Sequence, residues 1–213
     1  MPSRPATQHP LFARFFERVG ARNEQRGQAG LRAELLAGLR GLVLEVGAGN
    51  GLNFPHYPVE VDEVLVVEPE PYLRERAGLA AERVAVRIAV FAGTADALPV
   101  ANASVDVVVC SGVLCSVPDV PAALAEFRRV LRPAGEFRFY EHVRAGSRVR
   151  AAEQLVLNTV WPRLMGGCQL RRRTGAAIEA AGFTVRSSRE LIFPAGAKFS
   201  PVAPRILGAA RSG

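Results

Sequence analysis

The chain has 213 residues, enough for one domain with a sizeable core, and 49% of them are hydrophobic. No run reaches about 18 uninterrupted apolar residues, and the start Met1-Pro2-Ser3-Arg4-Pro5 lacks the apolar stretch of a signal peptide, so a cytoplasmic protein with no integral membrane segment is expected. The formal charge of +7 rests almost wholly on arginine, with Lys198 the single lysine, which is weak evidence for a nucleic-acid partner; the odd set Cys110, Cys115 and Cys168 suggests neither a disulfide framework nor a metal site.

Residues 1–10 are polar and hold three prolines, so they should be loose unless docked. Leu11, Phe12, Phe15, Phe16 and Val19 then recur at helical spacing. That aromatic face either packs on the sheet or closes over a bound ligand, with Phe12 and Phe16 placed to do so. A second helix over 31–39 ends at Gly41. Residues 1–40 thus read as an N-terminal helical lid segment ahead of a main domain at 41–213, within one globular unit.

The run Leu42-Val43-Leu44-Glu45-Val46-Gly47-Ala48-Gly49-Asn50-Gly51 is an apolar strand carrying an acidic residue and leading into alternate glycines. Such glycines let the backbone turn sharply and leave no Cβ where a ligand approaches the main chain. A dinucleotide loop would want glycine at 52, where Leu52 stands, and the Glu45 carboxylate would repel a pyrophosphate. A cofactor with a cationic amino group and no phosphate suits the loop, and S-adenosylmethionine is such a molecule. Glu45, Gly47, Ala48, Gly49, Gly51 and Asn53 are the contacts expected here, with Asn53-Phe54-Pro55-His56-Tyr57-Pro58 near the methionine end. The next strand, Val64-Leu65-Val66-Val67, ends in Glu68-Pro69, where the carboxylate can accept from both ribose hydroxyls.

Strands follow at about 64–68, 84–91, 105–110, 136–141 and 183–192, with helices at 71–81, 121–131 and 170–181. This alternation implies a mostly parallel sheet covered on both faces. Residues 204–209 could add a last strand. The basic clusters Arg144–Arg150 and Arg171–Arg173 read as solvated surface, or as attraction for an anionic substrate or membrane surface.

Together with the glycine loop, Thr94-Ala95-Asp96-Ala97-Leu98-Pro99, Ser104-Val105-Asp106-Val107-Val108-Val109-Cys110 and Phe127-Arg128-Arg129-Val130-Leu131-Arg132-Pro133-Ala134-Gly135-Glu136 carry a resemblance to the class I S-adenosylmethionine-dependent methyltransferases over about residues 40–190. The resemblance implies an α/β, Rossmann-like, doubly wound sheet with an antiparallel last strand beside the fifth. It also implies S-adenosylmethionine as cofactor and S-adenosylhomocysteine as product. Val107–Cys110, Val113-Leu114-Cys115-Ser116-Val117, Glu141-His142-Val143 and Gly167-Cys168-Gln169-Leu170 look most like the methyltransferase-like small-thiol methyltransferases of animal membranes and their soluble bacterial relatives.

Ligands of open α/β sheets sit beyond the carboxyl ends of the strands. Ala95 and Asp96 are therefore expected at the adenine, unless Asp96 caps the next turn. Cys110 and Ser111 end the fourth strand beside the cofactor. The Asn/Asp-Pro-Pro-aromatic cluster that orients the amino groups of bases is missing there, which argues against nucleic acid and for a small-molecule methyl acceptor. Glu141-His142 closes the fifth strand. His142 is the first candidate for a base toward a thiol and Glu141 for binding the acceptor or orienting the imidazole, with one of the two reaching the site; a strand-end pair bonded to backbone is the alternative. Phe12, Phe16, Val113, Leu114 and Trp161 are expected at the acceptor, Trp161 serving either the pocket or a helix contact. The three cysteines are expected to pack as small hydrophobes. C- or O-methylation of a quinol or phenol, or a fold that binds S-adenosylmethionine without methylating, are the competing functions; the number of subunits is not written in the sequence.

Overall fold

The computed structural model describes residues 10–213, so the expectation of a loose segment at 1–10 falls almost wholly outside the described residues, as does the Leu11 side chain. Helix α1 (Pro10–Asn23) runs through a π-helical turn, Glu24–Gln28, into α2 (Ala29–Leu36). The kink sits at Gly27, whose φ of 102° is open to glycine. The chain then follows β1 (Gly41–Val46), a 3₁₀ turn (Phe54–His56), β2 (Val61–Val67), α3 (Pro71–Ala81), β3 (Ile88–Phe91), β4 (Val105–Ser111), α4 (Val120–Val130) and β5 (Leu131–His142). It ends with α5 (Arg148–Leu157), α6 (Trp161–Leu164), α7 (Thr174–Ala180), β6 (Phe183–Ile192) and β7 (Pro204–Ser212).

The seven strands lie in the order β3-β2-β1-β4-β5-β7-β6. β1 to β5 are parallel, and β7 runs antiparallel between β5 and β6, the arrangement expected of this fold class. β1 and β4 are nearly continuous apolar runs because strands buried on both faces have no solvent side. One face packs Leu44, Val108, Phe137 and Phe139 against Leu124 and Phe127 of α4 and Ile178 of α7; the other packs Val43, Val64 and Val109 against Leu35 and Leu36 of α2 and Ala77 of α3. Both α3 and α4 begin with a carboxylate cap followed by proline: Glu70 accepts from Leu73 N at 2.9 Å and Asp119 from Ala122 N at 2.9 Å.

Several boundaries differ from the sequence reading. β3 starts at Ile88 rather than 84, because Val84 and Val86 enter the core from a bend outside the ladder. β5 starts at Leu131, since Arg132–Gly135 bulge out between the Val105–Leu131 and Val107–Glu136 pairs. The helix expected over 170–181 covers only 174–180, because Arg172 turns inward to cap carbonyls of the β4–α4 turn. α5 was not foreseen, its arginines having read as a surface cluster. The order reverses between β1 and β4, and the carboxyl ends of β1, β2, β4 and β5 frame one crevice there.

Candidate active site

Gly47, Gly49 and Gly51 take φ of 69°, 60° and 82°, the left-handed region in which a side chain is strained. A Cβ at Gly47 would stand 2.6 Å from Val113, one at Gly49 3.0 Å from Phe16, and one at Gly51 2.6 Å from Phe54. The protein's own side chains therefore fill the space that the sequence reading assigned to a ligand. That packing draws α1 and the β4–α4 turn onto the loop.

Glu68, 4% exposed, accepts from Gly49 N at 2.8 Å and Glu70 N at 2.9 Å, tying the end of β2 to the loop. Burial lifts its carboxyl to about 7 against the pull of those two N–H groups. Glu45 is 1% exposed and accepts from Asn53 Nδ2 and the Tyr57 hydroxyl, both at 2.7 Å; Asn53 Oδ1 accepts from Arg32 Nη1 at 2.7 Å. Burial raises both the Glu45 carboxyl and the Tyr57 phenol. Asn53, Phe54 and Tyr57 thus turn inward, and Glu45 reaches the loop as part of a buried network.

A cavity of about 600 Å³ runs from Glu68 and Pro69 across Gly47 and Gly49 to Ala95, Asp96 and Ser111. Its charged lining is Glu68, Glu70, Asp96 and Asp119 against Arg172, which suits a cationic cofactor and opposes phosphate. Beside the loop, Asn50 Oδ1 is buried with no hydrogen-bond partner among the described residues, an acceptor that a ligand amino group would satisfy. These features fit S-adenosylmethionine.

At the end of β5 the neighbouring side chains part. Glu141, fully buried, accepts from Val113 N at 2.9 Å, Leu114 N and Cys115 N at 3.0 Å and the Cys110 thiol at 3.3 Å. It holds the β4–α4 turn and lines neither ligand cavity, so its expected contact with the acceptor is corrected. Cys110 and Leu114 are likewise fully buried and line neither cavity, and Gly51 faces Phe54 and Ala80.

His142 points the other way, into a second cavity of about 380 Å³ with Cys115, Trp161, Met165 and Cys168. Its Nδ1 lies 3.6 Å from Cys115 Sγ and 3.7 Å from Cys168 Sγ. Burial, with Arg205 nearby, lowers the imidazole pKa. Cys168 is pushed down by hydrogen bonds, first from Cys115 and then from His142, and Cys115 is pushed up by the same bond and by burial. The sequence reading had the burial of these cysteines but not their meeting, since Cys115 and Cys168 lie far apart with no spacing motif. Arg205 and Asn50, also lining this cavity, carried no signal in the sequence.

The two cavities share Gly47, Ser111, Gly112 and Ser116, and over that junction lie Phe12 and Phe16, 5.6 Å apart between ring centroids. Phe16 sits against Gly49 and Phe12 against Gly166, at whose Cβ position it would stand 2.6 Å away. Glu17 ties α1 to α3 by accepting from the Tyr72 hydroxyl at 2.6 Å and from Arg76 Nε at 2.7 Å. Trp161 lines the second cavity, while Val113, expected at the acceptor, lines the first. Among the described residues no helix is long and apolar enough to cross a membrane.

Residues 44–139 match the family model described as a methyltransferase domain. Thiol S-methyltransferase TMT1B of Homo sapiens is 35% identical over 198 residues, covering 84% of this chain and 77% of that protein. Thiol S-methyltransferase TMT1A of Homo sapiens is 38% identical over 175 residues, covering 78% and 68%. In fold, a solved geranyl diphosphate methyltransferase in complex with S-adenosylmethionine superimposes with a TM-score of 0.68 at 14% identity, covering 88% of this chain and 85% of that one.

Proposed function

Because the chain belongs to the class I S-adenosylmethionine-dependent methyltransferases, in the group that holds the thiol S-methyltransferases, and methylates a small acceptor, we propose that the acceptor is a small lipophilic thiol and the product a methyl thioether. The observation that carries this reading is the second cavity, apolar in most of its lining, which sets the His142 imidazole and two sulfurs beside the cofactor cavity.

When bound, S-adenosylmethionine supplies a methyl carbon activated by its sulfonium. The chain's own work is to orient the acceptor and keep water away. Glu68 and the glycine loop would hold the cofactor end, with Asp96 and Ala95 at the adenine. Ser111 and Gly112 border the junction of the two cavities, where an acceptor sulfur would meet the methyl group. Trp161, Met165 and Val202 form the acceptor wall. Segment 1–40 acts as a lid in this reading, α1 covering the junction with Phe12 and Phe16. Three free, buried cysteines suit the reducing cytoplasm.

The test is S-adenosylhomocysteine formation against matched thiols, phenols, quinols and amines. Turnover confined to thiols supports the reading; turnover on phenols or quinols alone replaces it with O- or C-methylation. Cofactor binding without turnover on any acceptor would favour a non-methylating scaffold.

A further inference from the structure

Cys115 Sγ, His142 Nδ1 and Cys168 Sγ all lie within 4.8 Å of one another. A tetrahedral zinc ion has Zn–S of about 2.3 Å and Zn–N of about 2.0–2.1 Å, which places sulfur and nitrogen ligands about 3.6 Å apart. The two sulfur-to-nitrogen distances here are 3.6 and 3.7 Å. The donors come from three segments already held in place by hydrogen bonds. Cys115 N donates to Glu141 at 3.0 Å, Gln169 N donates to Cys115 O at 2.7 Å, and Cys168 N donates to Met165 O at 3.1 Å. Little rearrangement would be needed to close them on an ion. Trp161 Nε1, buried and without a close hydrogen-bond partner among the described residues, is directed at Cys168, whose thiolate it would stabilise.

We propose that Cys115, His142 and Cys168 bind one Zn²⁺ ion, and that its fourth position, open to the 380 Å³ cavity, takes the acceptor thiol as a thiolate. The inference rests on the thiol reading of the same cavity and gives it a means of activation. Two thiolates and an imidazole are a soft donor set suited to zinc, and three protein ligands with an open position is the pattern of sites that bind substrate. Two protein thiolates neutralise the ion, a third thiolate adds one negative charge, and the half-buried Arg205 lining the cavity balances it. On coordination the acceptor's proton passes to water. The acceptor sulfur then forms its bond to the methyl carbon as the methyl–sulfonium bond breaks, its electron pair staying on the cofactor sulfur. The neutral thioether is a poorer zinc ligand than the thiolate and leaves. In this arrangement His142 serves as a ligand, not as the base expected from the sequence.

Cobalt is the optical probe. Reduced, chelator-treated protein titrated with Co²⁺ should develop thiolate-to-cobalt charge-transfer absorption and the visible bands of tetrahedral geometry, saturating at one ion per chain and bleached by one equivalent of Zn²⁺. Adding a small thiol without the cofactor should shift the visible bands. Cys168→Ser and His142→Gln should each weaken Co²⁺ binding by about 100-fold or more, S-adenosylmethionine affinity serving as the check that each variant is folded. Absence of the bands, or bands unchanged in Cys168→Ser, overturns the site. Undiminished thiol methylation by chelated, metal-free enzyme also overturns it while the thiol reading stands. Intact bands that no thiol shifts, in a protein that methylates no thiol, overturn the acceptor half of the inference together with that reading.

Discussion

Glu141 Oε2 accepts the backbone N–H of Cys115 at 3.0 Å, so the strand that delivers the imidazole also fixes the turn that delivers one of the sulfurs. With the N–H groups of Val113 and Leu114 on its other oxygen, this carboxylate is a brace rather than a reagent. Glu141→Gln turns an NH₂ toward donors that need an acceptor, and the buried mismatch should cost about 2–4 kcal/mol. Chemical denaturation of the variant checks this. Unchanged stability with lost turnover would instead make Glu141 a group that touches substrate.

Gly49 is the loop position where α1 rests. Gly49→Val places a branched side chain at a φ of 60°, with its Cβ 3.0 Å from Phe16. Strain of about 1–3 kcal/mol is expected there. Displacement of α1 should add to it, so that S-adenosylmethionine affinity by calorimetry falls by on the order of 10-fold or more. A variant that binds the cofactor as well as the parent would remove the loop from the site.

Glu68 gives a pH signature of definite sign. Its carboxyl is lifted from 4.5 to about 7, with Glu70 pushing it further up and Arg74 pulling it down. Between those values the folded protein holds a proton that the unfolded chain has released, so stability falls as pH rises from about 5 through 7, by about 3 kcal/mol for this group. Glu45 and Glu141 are shifted in the same direction, so Glu68→Gln should flatten the slope without abolishing it. Urea unfolding of the ligand-free protein at several pH values reads the difference. A parent stability that climbs through this window would contradict the assignment.

Glu17 fastens α1 to α3 from the rim of the site through Tyr72 and Arg76. In Glu17→Ala the melting temperature should move only modestly, because the contact lies at the partly exposed surface, while the KM for S-adenosylmethionine rises several-fold as α1 loosens. Steady-state kinetics beside a thermal melt separates the two. An unchanged KM would speak for α1 as static packing.

The parts legible in the sequence are those in which one short segment contains its own reason. Glycines alternating after an apolar strand, with a carboxylate at the end of the next, marked the loop and the Glu68 carboxylate that line the first cavity without reference to the rest of the chain. What stayed hidden depended on partners far off in sequence. Nothing local revealed that Asn53 and Tyr57 donate to the two oxygens of Glu45, which lines the second cavity from within that network. Glu141 and His142 were separated correctly by strand alternation, yet which of them faced the crevice was decided by the N–H groups of residues 113–115. Cys115 and Cys168 were read one at a time as small hydrophobes, and only the closure of the Gly166–Leu170 loop onto the β4–α4 turn, through Gln169 N and Cys115 O, brings them to one imidazole.

Phe12 and Phe16 are carried one helical turn apart on α1, their rings against Gly166 and Gly49 of the first cavity, and both rings also border the second. A single rigid element bordering two adjoining cavities cannot be withdrawn from one without the other. If α1 serves as the proposed lid, whatever lifts it opens both, which would couple the arrival and departure of the two small molecules and make the traffic through the enzyme a matter of sequence as well as of affinity.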